Sequence, residues 1–212
     1  MADIFEYFRK NCMVSHVLDP AWYYSMPGYI WDAMMKFTTC RLDILRDTDQ
    51  IMFVEQGIRK GISVCVNRYS EANKKYMPTY DSTIPPNYLL YVDINNLYGK
   101  AMSELLPYGG FTWETNVENF DVMSVPDESS VGYILKVDLE YPRHLHDIHK
   151  DLPFASEHRT PSGSKLLPKL MTTLYSKEKY IVHYRHLKQI LQHGLILKQI
   201  YKILKFKHSK WL

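Results

Sequence analysis

The sequence predicts an α+β fold, and a change of pattern along the chain carries that prediction. Residues 1–58 contain three segments with apolar residues at helical spacing, whereas strand-like apolar runs predominate from residue 62 onward. With 212 residues, of which 46% are hydrophobic, the chain can bury a core in one domain or in two small ones.

Three helices are expected in the N-terminal part. The first covers residues 2–12, Pro27 opens the second, and Thr48 can cap the third. The apolar residues expected on their inner faces are Phe5, Phe8 and Cys12, then Ile30, Trp31, Met34 and Phe37, then Ile51, Val54 and Ile58.

Strands predominate in the rest of the chain. We expect them at residues 62–66, 88–94, near Phe111, at 131–140 and at 195–207. Residues 70–87 are polar and interrupted by prolines, which predicts a loop or a subdomain boundary. A short helical turn at 101–105, the turn PYGG at 107–110 and a helix at 180–192 that ends before Gly194 complete the prediction.

Charge is distributed unevenly. From Lys177 onward there are nine Lys or Arg and one acid, a balance of +8, and the total of +3 leaves −5 for residues 1–176. The stretch IYKILKFKHSKWL alternates lysines with aromatic residues, which suits a nucleic-acid backbone. A solvated face of a lysine-rich strand would give the same pattern, so both interpretations stay open.

Several features that the sequence lacks indicate the cellular compartment of the protein. The N-terminus MADIFEYFRKNC does not resemble a signal peptide, and no apolar run reaches 18 residues. The three cysteines, Cys12, Cys40 and Cys65, are odd in number and far apart, which indicates buried thiols in a reducing compartment. We therefore expect an intracellular protein without a membrane partner.

A carboxylate at the end of an apolar run raises the question of function. The run NYLLYVD predicts a strand covered on both faces, and Asp93 at its end needs a hydrogen-bonding partner or a metal. One interpretation is a cap on the turn at residues 95–97. The other is a magnesium site, because magnesium in phosphoryl-transfer sites takes one or two carboxylates together with substrate phosphates.

The segment DINNLYG resembles motif A of the family B DNA polymerases, whose usual form is D-x-x-S-L-Y-P. It is most similar to the protein-primed polymerases of Polinton (Maverick) mobile elements. Further blocks resemble the same group in order: YYSMPGYIWDAMMK, PYGGF, VDLEYPRHLHDIHKDLPFA, and KEKYIVHYRHLK through HGLILKQIYKILKFKHSKWL. The resemblance covers essentially the whole chain.

The resemblance implies a DNA-directed DNA polymerase, nuclear in a eukaryotic host, that uses two Mg²⁺ ions. By position, Asp93 corresponds to the first metal ligand and Ile94 to a residue whose carbonyl reaches a metal. Asn96 and Leu97 correspond to backbone contacts of the incoming deoxynucleoside triphosphate, and Tyr98 to the ring that stacks under its sugar. Asn96 replaces the usual Ser, and Gly99 replaces the usual Pro.

Contacts to the DNA primer-template are implied at two further places. The segment GIRKGIS aligns with a Y-R-G-G-like template-binding element, in which Ile58 replaces the Tyr and Lys60 the first Gly, so that only Arg59 and Gly61 match. The basic C-terminal stretch is the second place, and its candidate DNA-binding residues are Lys198, Lys202, Lys205, Lys207 and Lys210.

The resemblance also implies a domain order. Residues 1–70 would form a helical junction that follows the exonuclease domain, and residues 71–110 would begin the palm. Residues 111–212 would hold a terminal-protein-like insertion, a site for a priming protein, and the basic segment that leads toward the fingers. The fingers lysine and the second catalytic aspartate, from a D-T-D hairpin, lie outside these 212 residues, so we expect the chain to be inactive alone.

Two further motifs, and the function as a whole, have alternative interpretations. Asp47-Thr48-Asp49 is a D-T-D, but it precedes motif A and leads into a helix, which favours capping. The cluster His144, His146, Asp147 and His149 could bind zinc, as in a zinc-dependent nuclease, although ordinary hydrogen bonds in a loop are favoured. The main alternative function is a noncatalytic module that binds nucleic acid or protein.

Overall fold

The structure is a computed structural model that describes residues 1–59, 61–163 and 167–212, and its architecture is α+β. Within these residues the helices are α1 (Ala2–His16), α2 (Met26–Thr38), α3 (Thr48–Gly57), α4 (Leu97–Met102), α5 (His146–His149) and α6 (Tyr184–Gln192). The strands are β1 (Leu106–Trp113), β2 (Val131–Glu140), β3 (Glu157–Arg159), β4 (Lys169–Met171), β5 (Lys177–His183) and β6 (Ile196–Ser209). Single 3₁₀ turns lie at Pro20–Trp22, Val122–Ser124 and Arg143–Leu145.

Four strands form one antiparallel sheet in the order β1-β6-β2-β5. The long strand β6 pairs with β1 on one side and with β2 on the other, so that Leu204 lies opposite both Trp113 and Ile134. A separate hairpin consists of β3 and β4. Strand β6, the last strand in the sequence, is therefore an inner strand that joins β1 to the rest of the sheet.

The sheet is covered on both faces. On one face, Leu187 and Ile190 of α6 pack against Leu135, Val137 and their neighbours. On the other face, Phe53 of α3 packs against Ile181 and Leu204. Successive side chains of a strand point to opposite faces, so two covered faces require nearly continuous apolar sequence. This explains why neighbouring apolar residues, such as Ile181 and Val182 of β5 and Ile203 and Leu204 of β6, are buried on opposite faces.

The first two helices form a smaller cluster of their own. Cys12, Tyr29 and Ala33 are buried there, and Arg9 of α1 binds Asp19 through a fork of hydrogen bonds, the shortest at 2.6 Å. All three cysteines are free thiols, but only Cys12 is buried and Cys65 is exposed. The expectation of buried thiols is therefore right for Cys12 and wrong for Cys65.

Several predicted elements are confirmed. Helix α2 has Pro27 in its first turn, and β2 covers the predicted residues 131–140. Helix α3 begins at Thr48, with Asp47 as its N-cap, because Asp47 accepts a hydrogen bond from the Asp49 N–H at 2.9 Å. The capping interpretation of Asp47-Thr48-Asp49 is thus confirmed, with Asp47 rather than Thr48 as the capping residue.

The strands predicted at 62–66 and 88–94 are wrong. Both segments are exposed, and neither pairs with a strand in the described part of the chain. An apolar run forms a strand only where a neighbouring backbone satisfies its N–H and C=O groups. Here an isolated bridge between Asn73 and Asn87 closes the predicted loop just before residue 88, and pairing stops there.

The helix predicted from residue 180 begins later. Residues 177–183 form β5, and α6 starts only at Tyr184. The β-branched residues Ile181 and Val182 pair with β2, and this pairing overrides the helical spacing of the tyrosines. The sequence PYGG also differs from expectation, because it lies within β1, where Gly110 has a φ of 67° at an irregularity of the pairing.

The predicted domain limits fall differently with respect to the sheet. Strand β1 spans the limit expected at residue 110, and β6 joins it to β2 of the following region. The assignment of residues 1–70, 71–110 and 111–212 to polymerase regions stays a prediction.

Candidate functional site

The segment that carries the motif A resemblance lies on the surface. Residues 88–98 are exposed, among them Leu90 at 83% and Tyr91 at 94%. Asp93 is exposed as well, and its Oδ1 accepts a hydrogen bond from the adjacent Ile94 N–H at 2.9 Å. The expectation that Asp93 ends a buried strand is therefore wrong, since the strand that would bury it has no partner among the described residues.

Asn96, rather than Asp93, caps the turn that follows. Asn96 has a φ of 53°, and its Oδ1 accepts a hydrogen bond from the Gly99 N–H at 3.2 Å. Helix α4 then starts at Leu97, four residues before the predicted turn at 101–105, and ends at Met102. Tyr98 lies in its first turn and is exposed. The segment thus presents Asp93, Asn96 and Tyr98 together on one open surface stretch.

The two departures from the usual motif A form are linked in the structure. Proline at position 99 has no N–H and could not donate to Asn96. A Cβ at position 99 would also lie 2.3 Å from the Asn96 Nδ2. The amide cap of Asn96 therefore requires glycine at position 99, and Asn96 and Gly99 form one local unit.

Glu104 connects α4 to the sheet region. Its carboxylate receives Lys100 Nζ at 2.6 Å and Arg185 Nη1 at 3.3 Å. The contact with Lys100, and to a smaller extent that with Arg185, lowers the pKa of Glu104 below its usual value. Glu104 is thus held as a carboxylate between a cation of α4 and a cation of α6.

Arg59 is engaged inside the protein. Its Nη1 donates to the carbonyl oxygens of Gly57 at 3.1 Å and Ile181 at 2.8 Å, and its guanidinium lies 3.9 Å from the centre of the Tyr180 ring. Burial lowers the pKa of Arg59 from its usual value. Arg59 therefore fastens the end of α3 to β5, while Gly61 is exposed with open space around its Cα. Lys60 lies outside the described residues.

An open pocket of about 270 Å³ lies beside Arg59. Its walls include apolar side chains of α3, β2 and β5 together with His183 and His186. Burial, followed by the nearby charge of Arg185, lowers the pKa of His183 to about 4, so this imidazole is neutral at physiological pH. The pocket combines one cation with neutral, mostly apolar walls.

The five lysines of the basic segment do not share one face. Lys202 lies opposite Lys136 and has its Nζ 3.7 Å from the centre of the Trp113 ring, on the face covered by α3. Lys205 and Lys207 lie opposite Tyr133 and Val131, on the other face. Lys210 follows the strand. A single lysine-lined groove is therefore not formed by these residues.

Three of these lysines also have acidic partners. Lys198 binds Glu140, Lys202 lies 4.0 Å from Asp49, and Lys205 lies 3.9 Å from Glu114. Part of the positive charge of the segment is thus compensated within the sheet region.

The histidine cluster makes ordinary contacts. His149 Nδ1 lies 2.9 Å from the Tyr141 hydroxyl, and His146 Nε2 lies 3.4 Å from the Tyr141 carbonyl. Burial, and then the nearby His193, lowers the pKa of His149. The absence of a structural metal at this cluster stays a prediction.

Metal ligands are sparse in the described part of the chain. Within residues 1–59, 61–163 and 167–212, no three His, Cys, Asp or Glu residues lie close enough to hold a metal ion. Asp93 could supply one carboxylate ligand, and a magnesium ion there would need its other ligands from substrate or from further chain. No described helix is long and apolar enough to cross a membrane.

One buried polar cluster was not expected from the sequence. Lys177, with 1% of its side chain exposed, donates to Glu157 Oε1 at 2.7 Å and to the Thr173 carbonyl at 3.2 Å. It ties β5 to the β3–β4 hairpin. Glu157 and Lys177 lie 20 residues apart, a separation at which no spacing rule links two charges.

Comparison of the chain with known protein families, with curated proteins and with solved structures finds no match.

Proposed function

We propose that this chain is a piece of a family B DNA-directed DNA polymerase of the protein-primed type. In the complete enzyme, a primer hydroxyl attacks a deoxynucleoside triphosphate under the direction of a template, and catalysis rests on positioning and metal charge. A terminal protein would serve as primer, and the enzyme would act in the nucleus of a eukaryotic host.

The observation that carries the proposal is the run NYLLYVDINNLYG on the surface. Apolar side chains from Tyr88 to Ile94 are exposed in one contiguous segment, which marks a surface that another chain segment or partner covers. In the proposed enzyme this run is a palm strand that pairs with a later hairpin.

The roles of the site residues are proposed on the same basis. Asp93 would bind Mg²⁺, with the carbonyl of Ile94 beside it, and the backbone of Asn96 and Leu97 would meet the triphosphate. Tyr98 would stack under the sugar and reject ribonucleotides. The hydrogen bond from the Gly99 N–H to Asn96 Oδ1 supports this assignment, because it fixes the conformation of the turn that carries Tyr98. Mg²⁺ would supply the charge that stabilises the transferring phosphate.

Arg59 would act on the template indirectly. Its Nη1 already serves two carbonyl oxygens, so Arg59 could support a DNA-binding surface near Gly61 by fixing the end of α3. Contacts from the lysines of β6 would add affinity without sequence preference.

The test begins with the genomic DNA that follows codon 212. An in-frame N-S-x-x-G-like block and a D-T-D hairpin are expected there, and the longer polypeptide is expected to extend a primer with Mg²⁺. Asp93→Asn should lower extension by about 100-fold or more, since a metal ligand is worth several kcal/mol. Asp49→Asn, in the capping D-T-D, is the matched control and should retain activity. Equal activity of both variants would exclude Asp93 as a metal ligand.

A noncatalytic binding module is the second candidate. The exposed aromatic side chains of the N-terminal part, such as Trp22, Tyr24 and Phe37, favour it, because they would suit a partner protein. Stop codons directly after codon 212, together with DNA or protein binding by the 212 residues, would support this candidate over the polymerase.

A further inference from the structure

The segment around α4 has few links to the rest of the protein. Hydrogen bonds within residues 93–105 are local: Lys100 N–H donates to the Asn96 carbonyl, and Ser103 N–H donates to the Gly99 carbonyl. In the part of the chain that the structure describes, the side-chain hydrogen bonds of this segment reach outside it only through Glu104 and Arg185.

Arg185 is well placed to act as an anchor. Its side chain is 29% exposed, and that of Glu104 is 41% exposed. Arg185 Nε donates to the hydroxyl of the buried Tyr184 at 3.3 Å, and Nη2 donates to the carbonyl of Asp127. Two of its nitrogens are therefore fixed by the core and by the loop before β2, which leaves Nη1 directed at Glu104. The guanidinium is oriented before Glu104 meets it.

Glu104 transmits this contact to α4. It lies two residues beyond Met102, and its other oxygen binds Lys100 within α4. A displacement of Arg185 would therefore free Glu104 from the sheet region, while the salt bridge to Lys100 would stay within the segment. Asn96 and Tyr98 lie at the opposite end of this short helix. Without the Glu104 contact, their direction relative to the sheet would depend on the short connection to β1, which begins at Leu106.

We propose that Arg185 is a positioning residue: through Glu104 it holds the α4 segment, with Asn96 and Tyr98, in a fixed orientation against the sheet. Its consequence for nucleotide binding rests on the proposed function, whereas the anchoring itself does not. The same contact would transmit displacements of α6 to the sugar-binding surface.

Hydrogen exchange of the 212-residue protein tests the anchoring. Arg185→Ala should speed exchange of the amides of residues 100–103 up to about fivefold, because it removes a partly exposed ion pair. Exchange in β2, β5 and β6 should stay unchanged. The double variant Arg185→Ala with Glu104→Ala should exchange no faster than Glu104→Ala alone, because the two changes remove the same contact.

Two variants serve as controls. Lys188→Ala removes the neighbouring cation of α6, which binds Asp127, and should leave α4 unaffected. Lys100→Ala breaks only the bond within α4, so the excess effect of Glu104→Ala over Lys100→Ala measures the Arg185 contact. Unchanged exchange at residues 100–103 in Arg185→Ala, or fully additive effects of Arg185→Ala and Glu104→Ala, would overturn the proposal.

The outcomes separate this proposal from the polymerase proposal. If the longer polypeptide extends primers, Arg185→Ala should raise its KM for deoxynucleotides more than it lowers kcat, because Tyr98 contacts the sugar. An unchanged KM would refute the link to nucleotide binding. If exchange behaves as expected but the longer polypeptide is inactive, the anchoring role of Arg185 is supported and the polymerase function is refuted.

Discussion

DNA binding by the 212 residues should be weak and moderately dependent on salt. Removing the lysines on one face of β6 tests this, with the triple variant Lys205→Ala, Lys207→Ala and Lys210→Ala. Lys205 and Lys207 share a face, and Lys210 follows them, whereas Lys202 lies on the opposite face and Lys198 binds Glu140. A duplex that contacts one face can therefore reach two or three of the five lysines.

The magnitude follows from the number of phosphates neutralised. Two or three contacts give a slope of log affinity against log salt of about −1.8 to −2.7 on a duplex, whereas five would give about −4.5. Between 50 and 200 mM salt, affinity should therefore fall about 12-fold to 40-fold rather than about 500-fold. The acid Glu114 near Lys205 favours the lower value, since that ion pair must open first.

Fluorescence anisotropy of a labelled primer-template, titrated at several salt concentrations, measures the slope. The triple variant should lose most of the salt dependence, and the matched double variant Lys198→Ala with Lys202→Ala should retain it. A wild-type slope near −4.5, or an equal loss in the double variant, would refute the assignment to one face. Template-dependent extension by the wild-type 212 residues would refute their catalytic incompleteness.

Three further predictions concern stability and metal content. Lys177→Met should lower the free energy of unfolding by about 3 kcal/mol, because Glu157 loses its partner, and adding Glu157→Gln should recover part of this in urea denaturation. If the double variant is as unstable as the sum of the two single variants, the two side chains are not coupled. Because the pKa of His183 is about 4 in the folded protein, below its unfolded value, stability should fall as pH drops from 6.5 toward 4, by up to about 3 kcal/mol. His183→Gln should flatten this dependence, and an unchanged pH profile would contradict the assignment. Elemental analysis should find no stoichiometric zinc, and zinc that is lost on replacing His146 and His149 would reverse that expectation.

Local signals in the sequence were sufficient for much of the fold. Proline at the start of α2, the capping segment Asp47-Thr48-Asp49 before α3 and the apolar residues of β2 each act within a few residues, so they predict their elements correctly. The sequence predicts the start of α6 too early. Tyr180 and Tyr184 have helical spacing, but residues 180–183 pair with β2 as part of β5. Pairing with β2 joins residues that are far apart in the sequence, so the spacing of neighbouring apolar residues does not predict it.

The sequence predicts which residues form the candidate site, but it does not predict whether they are buried or what they contact. The pattern around Asp93 gives the order of an acid, an amide and a tyrosine, and the structure keeps them on one segment. Burial of residues 88–94 could not be predicted from their hydrophobicity, since burial depends on which backbone lies beside them. The anchor between Glu104 and Arg185 joins residues 81 positions apart, so it too is a product of the fold.

The central position of β6 has a consequence for biosynthesis. Strands β1 and β2 are not hydrogen-bonded to each other in the sheet, and β6, which separates them, is synthesised after both. At about 5–20 residues per second, β1 waits roughly 5–20 s for the end of β6 to be made. Until β6 is made, β1 has no strand partner and β2 can pair only with β5, so both keep an open strand edge, and such edges favour aggregation. A slow ribosome or a shortage of chaperones should therefore reduce the yield of this protein more than that of a helical protein of equal length.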